Sequence, residues 1–98
     1  KGFDTYLPLG PAIETDLDIS DVRVSSRLNG EPRQSESTKS LIFSIPFLIS
    51  FLSNGMTLEP GDIIMTGTPH GVGPMKDGDV IEVEVEGIGT LKNPVRNR

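Results

Sequence analysis

The 98 residues contain no cysteine, which excludes disulfides and thiolate metal sites. They contain one histidine, His70, so no second imidazole or thiolate is at hand to share a zinc ion. Basic residues are outnumbered, nine Lys and Arg against fourteen Asp and Glu, for a net charge of −5 and a pI of about 4.7. That balance argues against a protein that grips nucleic-acid phosphates. The one basic cluster, "KNPVRNR" at the end of the chain, reads as a solvated tail. No apolar run reaches the ~18 residues a bilayer span requires, and no signal-peptide pattern is visible. The expectation is a cytoplasmic chain with neither a nucleic-acid nor a membrane partner.

A chain of this length forms one domain. It buries roughly two-thirds of its unfolded surface, so its core is modest. An apolar fraction of 35% with 23% charged residues places it among globular chains and not disordered ones. Eleven glycines and eight prolines cut the sequence into short pieces, which suits strands and loops better than a helical bundle. "DVRVSSRLNGEPRQ" reads as a hairpin. Val22, Val24 and Ser26 share one face, Arg23, Ser25 and Arg27 the other, and Asn29-Gly30 is the turn.

"SIPFLISFLSNG" predicts a helix. Ser44 is placed to cap it, Pro46 suits its first turn, and Asn54-Gly55 is expected to end it in the left-handed conformation. Ile45, Leu48, Ile49 and Leu52 form a stripe that is expected to pack on a sheet. "DIIMTG" predicts a short apolar strand after the Pro60-Gly61 turn. "DVIEVEVEG" alternates strictly, which predicts a half-buried strand with Glu82, Glu84 and Glu86 outward. "TLKNPV" is expected to return antiparallel to it. The fold class expected is mainly β with few helices.

Four features could carry chemistry. "KGFDT" sets Lys1, Asp4 and Thr5 close enough to hold an anion or a metal-bound water; as a pattern alone it is also ordinary solvated surface. Gln34 follows a turn, where an exposed side chain is the usual outcome. "TGTPHGVG" offers backbone amides and two threonine hydroxyls, Thr66 and Thr68, as a nest for a carboxylate or phosphate. It is neither a Walker loop nor a dinucleotide fingerprint, and a plain connection between strands remains open. The Glu82, Glu84, Glu86 row could attract a cation. Its spacing of ~6.6–7 Å is too wide for one ion, which favours a solvated face.

In order along the chain, "KGFDTYLPLGP", "NGEPRQ", "LEPGDIIMTGTPHGVGP" and "GDVIEVEVEGIGTLKNPV" resemble the C-terminal part of the fumarylacetoacetate hydrolase family. The resemblance runs from Lys1 to about Val95, nearest to the isomerases and decarboxylases of homoprotocatechuate breakdown. It implies the C-terminal portion of one catalytic domain, a mixed β-sandwich roll that is incomplete over these 98 residues. It further implies a homodimer and an Mg²⁺ or Mn²⁺ site. The Glu-x-Glu pair and Asp that ligate the metal in the family are not in this chain, and Lys1 is expected to be an internal lysine whose partners precede it.

Carried over by position, Lys1 matches the family's active-site lysine and Thr5 a threonine on the metal side. Thr68 matches the threonine that binds the substrate carboxylate, with Gly67 beside it in the nest. Gln34 lies in a motif that reaches the substrate pocket, and His70 is a variant loop position. The implied activity is on a small 2-oxo or 2-hydroxy-enol (di)carboxylic acid, by isomerisation, decarboxylation or C–C hydrolysis. An acylpyruvate or fumarylpyruvate hydrolase is the alternative within the family. A catalytically dead binding module of the same fold, and a free-standing anion-binding β-domain, are the alternatives outside catalysis.

Overall fold

The computed structural model describes residues 2–98, so Lys1 lies outside the described residues. Four strands form one antiparallel sheet: β1 (Arg23–Leu28), β2 (Glu31–Ser37), β3 (Val80–Val85) and β4 (Gly89–Pro94), in the order β2-β1-β3-β4. One helix, α1 (Ile45–Gly55), follows a single 3₁₀ turn at Thr38–Ser40. The mainly-β expectation therefore holds.

The β1–β2 hairpin closes on two residues with positive φ, Asn29 at 53° and Gly30 at 83°. This is the primed turn that matches the twist of paired strands. Asn29 does more than turn the chain. Its side-chain amide donates to Asp79 Oδ1 at 2.9 Å, and its Oδ1 accepts from the Val80 N–H at 2.8 Å. The tip of the hairpin is thereby tied to the start of β3. Asp79 also accepts from the Lys76 N–H, and these bonds, the Lys76 one foremost, hold its carboxyl below the ordinary aspartate value.

The pairing β1 with β3 sets Val24 against Val85, Ser26 against Val83 and Leu28 against Ile81. These residues share one face. The other face carries Arg27, which donates to Glu82 at 3.2 Å and Glu84 at 2.8 Å, while Lys92 pairs with Glu82 at 3.1 Å. The glutamate row is thus not simply solvated, as the alternation predicts. Cross-strand pairing puts Arg27 and Lys92 opposite Glu82, with Arg27 reaching Glu84 on the diagonal, and Lys92 and then Arg27 hold the Glu82 carboxyl below its ordinary value.

Among the described residues the buried apolar ones are Val22 and Leu28, each 5% exposed, so the core is thin. Three expectations about the middle of the chain need correction. Ser44 does cap α1, accepting from the Phe47 N–H at 3.3 Å, and Pro46 does sit in the first turn. The helix does not end in a left-handed residue, however: Met56 caps it in an extended conformation and returns its N–H to Leu52 O. Nor does the sheet bury its stripe. No residue of α1 is buried, and Phe47, Ile49 and Phe51 stay exposed, with Phe43, Phe47 and Phe51 stacked in file. Finally, "DIIMTG" forms no strand and pairs with none among the described residues, with Ile63 and Met65 exposed. An apolar run becomes a strand only beside a partner edge, and none reaches it here. No helix among the described residues is long and apolar enough to cross a membrane.

Candidate active site

β2 is an edge strand, which is why it tolerates Pro32 and its missing N–H. Its pairing with β1 slips by one residue: Ser26 faces Gln34, but Arg27 faces Pro32, leaving Arg33 as the extra residue of a bulge. The bulge sets Gln34 on the face that carries Ser26 and lets the Arg33 carbonyl turn toward the glycine-rich loop. There Gly71 lies so close that a Cβ on it would stand 2.1 Å from Arg33 O. Its φ of +100° is also one that side chains disfavour. Only glycine lets the loop settle on β2.

Gln34 completes the junction. Its Nε2 donates to Thr68 Oγ1 at 2.9 Å and to Pro69 O at 3.0 Å. Its Oε1 accepts from Ser26 Oγ at 3.1 Å, and Ser26 is buried. Two motifs 34 residues apart are joined by side chains. Beside the junction lies a cleft of about 470 Å³. Thr66, Gly67 and Thr68 line it, together with the apolar side chains of Leu41, Phe43 and Leu48. Glu36, two residues along β2 from Gln34, also lines it. The Ser37 N–H first, then the Ser40 hydroxyl, bind its carboxylate and hold it below the ordinary glutamate value, so it is charged at neutral pH.

Of the residues singled out from the sequence, Gln34, Gly67 and Thr68 are brought together. Gly67 has φ +101° and open space around its α-carbon. Thr5 stands elsewhere, in an exposed turn closed by the Tyr6 N–H donating to Phe3 O at 3.1 Å. It has a φ of +67°, unusual for a β-branched residue and a form of strain that concentrates at functional sites. The Arg98 side chain donates to Asp4 O in that turn at 3.1 Å, bringing the two ends of the chain together. Lys1 lies outside the described residues. His70 is exposed in the loop, and among the described residues no three His, Asp or Glu side chains cluster where they could hold a metal ion.

Sequence reasoning missed Ser26, Glu36 and Gly71. The alternation of β2 places Gln34 and Glu36 on one face, a signal that was available for Glu36. The bulge and the Gly71 contact leave no mark in the pattern.

Comparison with known proteins shows the family and the fold. Residues 1–96 match the family described as fumarylacetoacetate (FAA) hydrolase C-terminal. The crystal structure of 5-carboxymethyl-2-hydroxymuconate delta-isomerase from Mycobacterium smegmatis superposes with a TM-score of 0.97 at 54% identity, covering 100% of this chain and 39% of that one. The 4-hydroxyphenylacetate degradation bifunctional isomerase/decarboxylase of Salmonella dublin is 46% identical over 98 residues, 97% of this chain and 23% of that protein. Maleylpyruvate hydrolase from Sphingobium sp. SYK-6, solved with manganese(II) and pyruvate, aligns at a TM-score of 0.78 and 40% identity over 81% of this chain and 30% of its own. The chain thus spans well under half the length of each of these relatives.

Proposed function

Because the chain belongs to the fumarylacetoacetate hydrolase family, we propose that it supplies the carboxylate-holding side of an enzyme acting on a small 2-oxo or 2-hydroxy-enol acid. The observation that carries this reading is the Gln34–Thr68 junction beside a cleft that Thr68 lines together with Leu41, Phe43 and Leu48. The Thr68 hydroxyl and the amides around Gly67 receive the substrate carboxylate. Leu41, Phe43 and Leu48, apolar residues of the same cleft, take the carbon chain and exclude water from it. Lys1, which lies outside the described residues, is assigned by the family likeness to stabilise the negative charge that develops on the oxo oxygen, an effect strongest in a water-poor pocket. An enolate so stabilised is what forms when a proton leaves the carbon beside the oxo group, when CO₂ departs from a carboxylate on that carbon, or when water adds to an acyl group there and the C–C bond breaks; reprotonation of the enolate carbon completes each reaction. We assign isomerisation or decarboxylation first and hydrolysis of an acylpyruvate-type acid second.

The cofactor proposed is Mg²⁺ or Mn²⁺, which when bound would act as a Lewis acid toward the 2-oxo acid. The described residues do not fit a complete metal site, since they lack a carboxylate cluster. Thr5, with its strained backbone, is the one described residue assigned to the metal side. The 98 residues alone are therefore proposed to be inactive, and the active form is proposed to be a homodimer.

The test uses the protein expressed from its intact gene with Mn²⁺ and oxaloacetate, following decarboxylation. Lys1→Ala is expected to lower kcat/KM by at least about a hundredfold, the scale set by losing one preorganised electrostatic group. Undiminished turnover by that variant would overturn the reading. Pyruvate binding without any turnover would instead mark a binding module. Metal-dependent decarboxylation by the 98 residues alone would contradict their proposed inactivity.

A further inference from the structure

The cleft holds a charge that the proposed carboxylate site does not use. Glu36 stands two residues along β2 from Gln34, so the two share a face ~6.6–7 Å apart. Across the sheet Glu36 pairs with Val24, and both residues line the cleft with Thr68. The Glu36 carboxylate is fixed by one oxygen only. Its Oε1 accepts from the Ser37 N–H at 3.0 Å and from the Ser40 hydroxyl at 2.8 Å. Its Oε2 accepts from no donor among the described residues. No lysine or arginine among them forms an ion pair with Glu36, and Arg23 and His70 act on it only from a distance. The result is a half-buried carboxylate, held in place and charged, with one oxygen left over.

We propose that Glu36 sets the substrate class of the cleft: a 2-oxo monoacid with a neutral far end, in preference to a dicarboxylate. This inference rests on the reading of Thr68 as the carboxylate ligand and goes beyond it to the other end of the substrate. A ligand anchored at Thr68 and extended along β2 meets Glu36. A second ionised carboxylate there could only accept, as Glu36 Oε2 only accepts, so no hydrogen bond forms between them. The two charges also repel. At ~7 Å a like charge weakens binding about threefold in water and about fiftyfold at the effective dielectric of a protein surface. A neutral end meets neither penalty and rests against Leu41 and Leu48 of the same cleft. Oxaloacetate carries its second carboxylate one carbon nearer the anchor than 2-oxoglutarate does, so it serves as an assay substrate without being the favoured class.

The experiment is calorimetric titration of two ligands with the same five-carbon chain, 2-oxopentanoate and 2-oxoglutarate, into the Mn²⁺-loaded protein expressed from its intact gene. The parent is expected to bind 2-oxopentanoate about tenfold tighter, between the two limits above. Equal binding, or a preference for 2-oxoglutarate, would overturn the proposal without recourse to any variant. Glu36→Gln keeps an oxygen for Ser37 and Ser40 and puts an NH₂ group in place of Oε2. It is expected to narrow the preference to within about twofold by tightening 2-oxoglutarate. Glu36→Ala is expected to narrow it as well, and serves if the glutamine variant proves unstable. Thr68→Val, which removes the anchor, is expected to weaken both ligands about tenfold and leave their ratio as in the parent. An unchanged ratio in both Glu36 variants, with Thr68→Val impaired, would overturn the role of Glu36 and leave that of Thr68 standing. Parental binding of both ligands by Thr68→Val would remove the anchor and the proposal with it.

Discussion

Gly71→Ala is the sharpest perturbation of the loop-to-strand junction. Two penalties combine at this position. A side chain at φ +100° incurs roughly 1–2 kcal/mol of backbone strain. The new Cβ would also stand 2.1 Å from Arg33 O and 3.0 Å from Gln34 Cγ. Backbone does not yield as a flexible side-chain tip does, so the loop must lift from β2, at about 1–3 kcal/mol for overpacking. The total expected is about 2–5 kcal/mol. Gly67→Ala is the internal control, because its φ is +101° but nothing lies within 4 Å of its added Cβ. It should incur only the backbone part, about 1–2 kcal/mol. Urea denaturation at equal m-value isolates the difference, about 1–3 kcal/mol, as the contact with the bulge. Equal losses in the two variants would refute the claim that the loop is seated on Arg33. A seated loop also predicts that Gly71→Ala weakens pyruvate binding, since lifting it carries Thr68 away from Gln34.

Three further outcomes are expected. Thr5→Gly should raise stability by about 1 kcal/mol by relieving a left-handed β-branched residue, while lowering oxaloacetate turnover at least tenfold; a variant that is both more stable and fully active would remove Thr5 from the site. Asn29→Gly keeps the turn but loses the bonds to Asp79 and Val80, and should show a loss of about 1–3 kcal/mol in denaturant melts, against no loss if the hairpin tip stands free. Asp79 has a lowered pKa, so its stabilisation is present at neutral pH and is lost as pH falls through the ordinary carboxylate range toward the lowered value. Asp79→Asn should therefore flatten the acid limb of melting temperature against pH as pH falls through and below the ordinary aspartate range, and an unchanged limb would place the acid sensitivity elsewhere.

The parts of this fold that are legible in the sequence are those set by neighbours in the chain. Asn29-Gly30 specifies its turn through backbone conformation, and Ser44 with Pro46 specifies a helix start through local hydrogen bonding and a preset φ. The alternation in Val80–Val85 specifies a strand through side-chain direction. What escapes the pattern depends on distant partners. The stripe of Ile45, Leu48, Ile49 and Leu52 promises a covering surface but does not say where it comes from, and the sheet does not provide it: Ile49 is exposed and the other three are only half-buried. "DIIMTG" has strand composition without a partner edge. The glutamates of β3 look solvated until the pairing brings Arg27 and Lys92 beside them. For the site, Gln34 and Thr68 are unremarkable one at a time. The ordered likeness to a family singles them out, and the bulge in β2 shows how they meet. Ser26 could not have been found, because a serine on the inner face of a strand acquires meaning only from the amide opposite it.

The central claim is that the β2–loop junction holds the carboxylate of a 2-oxo acid. The most direct measurement is kcat/KM for oxaloacetate decarboxylation with Mn²⁺ by Thr68→Val beside the parent protein, with melting midpoints recorded for both. The account predicts a fall of at least about tenfold, expressed mainly in KM, at an unchanged midpoint. Equal kcat/KM for the two proteins would contradict it.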